Sequence, residues 1–408
     1  MTTDIKVPRR AGMWLLGPAF VASIAYVDPG NVAANVSAGA QYGFLLVWVI
    51  VVANVMAGLV QYLSAKLGLV TGRTLPEAVA DHTRTRTRIA YWLQAELVAM
   101  ATDLAEVVGG AIALYLLFDL PLLTGGVITG LVSLLLLALQ NRSGQRVFER
   151  VITGLLLVIA IGFLTSLFVQ PPPITDVVGG LVPRFDGPES ILLATAMLGA
   201  TVMPHAVYLH SALARDRHGH LEAGAPRRRL LRITRYDVGL AMLVAGAVNL
   251  AMLLVAATNL QGMENTDSIE GAYSAVQSTL GHTVALFFAI GLLASGLAST
   301  SVGAYAGAVI MQGLLHKSYP LLLRRLVTLI PALVVLAIGV DPSRALVLSQ
   351  VVLSFGIPFA LVPLVRLTGN RELMGGDVNH RVTTVLGWTV AAVISLLNVV
   401  LIYLTVTG

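Results

Sequence analysis

Between short polar connections, the apolar residues of this chain run in blocks long enough to cross a membrane. Eleven such blocks fall at roughly residues 11–38, 44–70, 89–117, 121–139, 147–169, 190–213, 233–258, 276–313, 321–340, 344–365 and 382–406. A helix of about 20 residues spans the ~30 Å of a bilayer's hydrocarbon core. With 56% hydrophobic and 12% charged residues, the 408-residue chain lacks the charged shell that a soluble core of this length needs. Inside hydrocarbon, backbone donors and acceptors must be satisfied within the protein, so the blocks are expected to be helices. The expected fold class is therefore an all-α integral membrane protein with eleven transmembrane helices, organised as one domain over residues 1–408.

Charge orders the connections. Of the 26 Lys and Arg residues, all but Arg184 and Arg344 belong to the N-terminus and the even-numbered connections, counting Lys66 with its neighbouring loop. This is the positive-inside pattern. It places the N-terminus in the cytoplasm and, with an odd number of spans, the C-terminus outside, with the cell (plasma or inner) membrane as the expected location. The net charge of +5 thus follows membrane orientation, and nucleic acid is not an expected partner. The connection from Arg215 to Arg232, with Arg227, Arg228 and Arg229, is read as an orientation signal. The outer connection from Asn259 to Tyr273 carries Glu264, Asp267 and Glu270 and no basic residue, as either a cation-concentrating or an ordinary solvated loop. The chain has no Cys, which excludes disulfides, thiolate metal sites and thiol chemistry. The N-terminus has no small-residue cleavage site behind a short apolar core, so the first block is expected to remain as a membrane helix.

Two blocks contain residues that a membrane helix resists. In the first, Ala25-Tyr26-Val27-Asp28-Pro29-Gly30-Asn31 sets a carboxylate, a proline and a glycine near the middle of the span. Pro29 removes a backbone donor and Gly30 adds backbone freedom. A charge such as Asp28 at the bilayer centre costs about 2.5–3.5 kcal/mol on insertion scales. Such a cluster is tolerated where unwound backbone lines a cavity and the charge meets a partner, here inferred to be a cation. In the sixth block, Ala200-Thr201-Val202-Met203-Pro204-His205 repeats the device. Breaks in the first and sixth of eleven spans point to two five-helix repeats, roughly 11–169 and an inverted 190–365, followed by an extra helix at 382–406. That arrangement is a pointer to a secondary-transporter site at the membrane midplane.

The residues at the breaks define a chemistry. Asp28 and Asn31 are three apart and can turn their side-chain oxygens to one point, beside the Ala25 carbonyl. From the sixth span the Ala200 carbonyl and the Met203 thioether can meet them. Mg²⁺ and Ca²⁺ prefer oxygen alone, whereas a thioether favours softer transition metals.

Asp28-Pro29-Gly30-Asn31 together with Met203-Pro204-His205 resembles the natural resistance-associated macrophage protein (Nramp) family of divalent transition-metal transporters, which carry metal inward with protons. The resemblance covers essentially the whole chain. It implies a LeuT-like fold and a metal site formed by Asp28, Asn31, Met203 and the carbonyls of Ala25 and Ala200, joined in occluded states by Gln350. The methionine, missing from the family's magnesium-transporting relatives, implies Mn²⁺ or Fe²⁺ as cargo. Ala206 stands where many members carry asparagine.

The third span carries Glu96, Asp103 and Glu106 on nearly one helical face, an acidic stripe of the kind that serves as a proton relay inside membranes. Arg324 and Arg325 open the ninth span as candidate partners. The resemblance assigns Asp103, Glu106, Arg324 and Arg325 to a proton route running from Asp28 toward the cytoplasm. His205 is expected to act in gating or proton transfer rather than as a ligand. Gln61, halfway along the second span, either hydrogen-bonds near Asp28 or packs between helices.

The expected function is proton-coupled import of Mn²⁺ or Fe²⁺ by alternating access. The expected partners are the metal ion, protons and the lipid bilayer, with no cofactor and no obligate protein partner. A carrier of organic solutes on the same frame would set Asp28 against the substrate's own carboxylate. An intramembrane enzyme lacks a nucleophile–base pair and a His-Glu-x-x-His sequence here. A passive metal channel is separable from a carrier by tracer counter-transport.

Overall fold

A computed structural model describes residues 17–143, 145–263, 268–317 and 321–407. The N-terminal basic residues, the start of the first block, and Glu264 and Asp267 of the outer loop lie outside the described residues. Within them the secondary structure is entirely helical.

The first apolar block folds as α1 (Pro18–Ser23), a 3-10 turn (Ile24–Val27) and α2 (Pro29–Tyr42). The second and third blocks give α3 (Val47–Thr71) and α5 (Thr85–Phe118), joined through the short α4 (Leu75–Asp81). Then come α6 (Leu122–Ser143), α7 (Gln145–Val169) and the short α8 (Ile174–Gly179). The sixth block is again split, into α9 (Gly187–Thr201) and α10 (Pro204–His218). The remainder is α11 (Ala225–Asn259), α12 (Ile269–Leu280), α13 (His282–Leu315), α14 (Leu321–Ala337), α15 (Pro342–Thr368), α16 (Arg371–Met374) and α17 (Arg381–Thr407).

Eight stretches among the described residues are long and apolar enough to cross a membrane: α3, α5, α7, α9 with α10, α11, α13, α15 and α17. The other three apolar blocks are the broken first span, α6 and α14, so each of the eleven finds its helix. Large apolar side chains stay exposed along the outside, among them Val55, Leu135, Leu243 and Ile338, as a lipid-facing surface requires.

Two boundaries differ from those expected. The eighth block, expected at 276–313, is divided at Gly281, whose φ of +92° ends α12 before α13 begins. The Arg-rich stretch 227–229, expected in a connection, already rides on α11, and Arg227 is buried against Asp377 with its Nη2 2.5 Å from the carboxylate. Arg227 therefore fastens the connection between α15 and α17.

Packing centres on the two breaks. α2 lies against α11, α9 and α15, while α10 lies against α3, α13 and α15. α13 in turn packs along α5 and α7. These contacts bury Ala294, Ser295, Gly296, Ala298 and Ser299 of α13, small residues that let membrane helices approach closely. Gly109 of α5 does the same for the break itself, since a Cβ there would lie 2.0 Å from the Pro29 ring.

Candidate metal site

Each break has a local cause. Asp28 is extended (φ −71°, ψ 168°) and is the N-cap of α2, with Pro29 following in the first turn, where its missing N–H costs nothing. Met203 is likewise extended (φ −69°, ψ 122°) at the N-cap of α10, with Pro204 behind it. Each span thus presents, at its break, the carbonyl-bearing end of one helix segment beside the start of the next.

Asn31 ties the two breaks together. Its Nδ2 donates to Asp28 Oδ1 at 2.8 Å and to the Ala200 carbonyl at 2.8 Å. Asp28 Oδ1 also accepts the Asn31 backbone N–H at 2.8 Å, and Gln350 Nε2 reaches Oδ2 at 3.4 Å. Asp28, Asn31, Gln350, Ala25, Ala200 and Met203 are all buried. The side-chain oxygens of Asn31 and Gln350 have no hydrogen-bond partner, and Asp28 takes part in none of the ion pairs among the described residues. A buried carboxylate without a cation beside two orphaned acceptor oxygens is an arrangement short of positive charge. Among the described residues no three His, Cys, Asp or Glu side chains converge as a metal cluster. A divalent ion in this core would therefore draw on amide, carbonyl and thioether donors beside Asp28.

The surroundings of the first break were not foreseen from sequence. Asn249 Nδ2 of α11 donates to the Tyr26 carbonyl at 2.7 Å and is itself held by Asn35 Nδ2 at 3.1 Å. Ser295 Oγ of α13 donates to the Val27 carbonyl at 2.5 Å. An asparagine inside an apolar block is a readable signal of such a bond, but a lone serine in a membrane helix is not. Gln61 reaches the neighbourhood of Asp28 indirectly: its amide bonds the Tyr26 hydroxyl, and its Oε1 lies 2.6 Å from His210 Nδ1.

The acidic stripe meets the arginines of α14. Arg325 pairs closely with Asp103 and donates from Nε to Ser133 Oγ at 3.2 Å, and Arg324 Nη2 is 2.9 Å from Glu96. Glu106, one turn on, is fully buried beside Asp103. It lies within electrostatic reach of Asp103, Arg325 and Asp28. His205 Nδ1 is 3.4 Å from the Thr102 hydroxyl, while its Nε2 is unpartnered. Ala206 is buried beside it. Titratable groups thus follow one another from Asp28 through Glu106 to Asp103 and then Glu96.

Comparison with known proteins places this arrangement in a family. The model for natural resistance-associated macrophage protein-like (Nramp) proteins matches residues 19–404. The divalent metal cation transporter MntH of Mycobacterium tuberculosis (strain CDC 1551 / Oshkosh) is 70% identical over 408 residues, covering 100% of this chain and 95% of that protein. The crystal structure of the Eremococcus coleocola manganese transporter, in complex with an aromatic bis-isothiourea compound, superposes with a TM-score of 0.86 at 34% identity. It covers 97% of this chain and 88% of that one. The nucleobase-cation-symport-1 family transporter Mhp1 shares the fold at a TM-score of 0.61 and 14% identity, covering 95% of this chain and 92% of that one. The chain belongs to the Nramp family: it is a multi-pass, all-helical membrane transporter of LeuT-like fold and not an enzyme.

Proposed function

We propose that this chain imports divalent transition metal ions, Mn²⁺ or Fe²⁺, across the cell membrane together with protons, by alternating access. The observation that carries this reading is the Asn31 bridge, which joins the Asp28 carboxylate to the Ala200 carbonyl across the two breaks, 2.8 Å on either side. The similarity to transporters described as carrying divalent metal cations and manganese supports it.

A hydrated ion arriving from outside exchanges water for Asp28, Asn31, the Ala25 and Ala200 carbonyls and the Met203 sulfur, with Gln350 joining as the site occludes. The orphaned oxygens of Asn31 and Gln350 are then satisfied. Metal charge favours ionised Asp28, and its proton passes to Glu106 and Asp103, with Arg325 and Arg324 steadying the acids left behind. His205 serves as a gating or proton-linked residue beside the second break. The broken spans then move against a scaffold containing α5 and α13, and an inward-negative potential assists at about 2.3 kcal/mol per charge per 100 mV. The two halves, 11–169 and 190–365, act as inverted repeats, with the N-terminus cytoplasmic and the C-terminus outside. The metal is cargo, and no resident cofactor is invoked.

Mn²⁺ uptake into proteoliposomes tests the reading. Asp28→Ala is expected to abolish uptake while the protein stays folded; near-normal transport would refute Asp28 as a ligand.

A further inference from the structure

We propose that Ser295, with Asn249 as its counterpart, sets the ion selectivity of the site by keeping two backbone carbonyls of the broken turn away from the metal. The inference rests on the metal-site reading proposed above. A helix end leaves its last carbonyls without donors from its own helix. At the end of the first segment, the two nearest Asp28 are those of Tyr26 and Val27. Both are taken by side chains from other helices: Asn249 Nδ2 of α11 at 2.7 Å and Ser295 Oγ of α13 at 2.5 Å. Asn249 is fixed in turn by Asn35 Nδ2 at 3.1 Å. Ser295, Asn249, Asn35, Tyr26 and Val27 are all buried, so bulk water does not compete for these bonds.

The consequence is a count of hard oxygens. Ca²⁺ takes roughly six to eight oxygen ligands in adaptable geometry, and its binding is tuned by ligand number and by the slack of the site. A softer transition metal gains from the thioether and needs fewer oxygens. A turn pinned at two successive carbonyls next to Asp28 is both poor in free oxygen and stiff. Removing the Ser295 hydroxyl leaves the Val27 carbonyl, next in the chain to Asp28, without its side-chain donor in a buried place, free to turn to a cation held by Asp28. The site then offers one more oxygen and more slack, the two changes that favour Ca²⁺. Ser295 is thus a positioning residue that acts through the backbone it holds.

Mn²⁺ uptake into proteoliposomes under rising Ca²⁺ gives the ratio of the Ca²⁺ inhibition constant to the Mn²⁺ KM. Ser295→Ala is expected to lower that ratio by about five- to tenfold. Asn249→Ala should shift it in the same direction, and Ser295→Thr, which retains the hydroxyl, should restore the wild-type ratio. An unchanged ratio in the alanine variants overturns the proposal. So does loss of folded protein in both, or a slower uptake at constant ratio, since helix packing alone would give either. Asp28→Ala measured alongside separates the two readings. Transport by that variant refutes the metal site itself, whereas an inactive Asp28→Ala beside an unaltered Ser295→Ala ratio refutes only the role of the held carbonyls.

Discussion

A methyl group on Gly30 would lie 1.7 Å from the Gln350 Nε2 and 2.3 Å from its Cδ. Gly30 is not among the residues with positive φ, so space for Gln350 explains it better than the backbone freedom expected from the sequence. Gly30→Ala is expected to destabilise the folded protein by about 1–3 kcal/mol, the usual range for overpacking. It should also raise the Mn²⁺ KM by displacing Gln350 from Asp28. Thermal unfolding of Gly30→Ala and of Gly30→Ala/Gln350→Ala checks the cause, because truncating Gln350 should recover stability without restoring the KM. Asp28, Asn31 and Met203 were legible in the sequence because an acid and two proline-linked breaks are conspicuous in apolar blocks. Gln350 entered only by family resemblance, since an amide deep in the tenth block has no partner visible in one dimension. Ser295 was silent for a similar reason: a hydroxyl among small residues looks like packing until the Val27 carbonyl is found 2.5 Å away.

Helices that are far apart in sequence meet through charge. Arg325 of α14 is fully buried against Asp103 of α5, and removing one member of a buried ion pair leaves the other uncompensated. Arg325→Ala is expected to cost about 3–5 kcal/mol in stability, and the double variant Arg325→Ala/Asp103→Ala less than Arg325→Ala alone, as read from denaturation in detergent. The elements themselves were the most legible layer, because blocks of about 20 apolar residues leave the backbone few options in hydrocarbon. The short helices were not: α4, α8, α12 and α16 lie in or beside connections where hydropathy says little. Three of them carry a local signal at their start: α4 a capping box in which Thr74 accepts the Glu77 N–H and Glu77 accepts that of Thr74, α12 the Ser268 N-cap and α16 the Asn370 N-cap.

At the level of the whole molecule, the proposed orientation rests on where the basic residues fall, and it is open to a direct check. A reporter fused after Gly408 is expected to be active only on the outer side of the membrane, and cytoplasmic activity would contradict the assigned topology. The fold brings the first and sixth spans together so that Asn31 bonds the Ala200 carbonyl 169 positions away in the chain. One ion held by both broken turns is the central claim, and X-ray absorption at the Mn edge examines it without recourse to activity. Mn²⁺ bound to the purified protein is expected to show one sulfur neighbour among oxygens, lost in Met203→Ala. An all-oxygen shell, indifferent to that substitution, would contradict it.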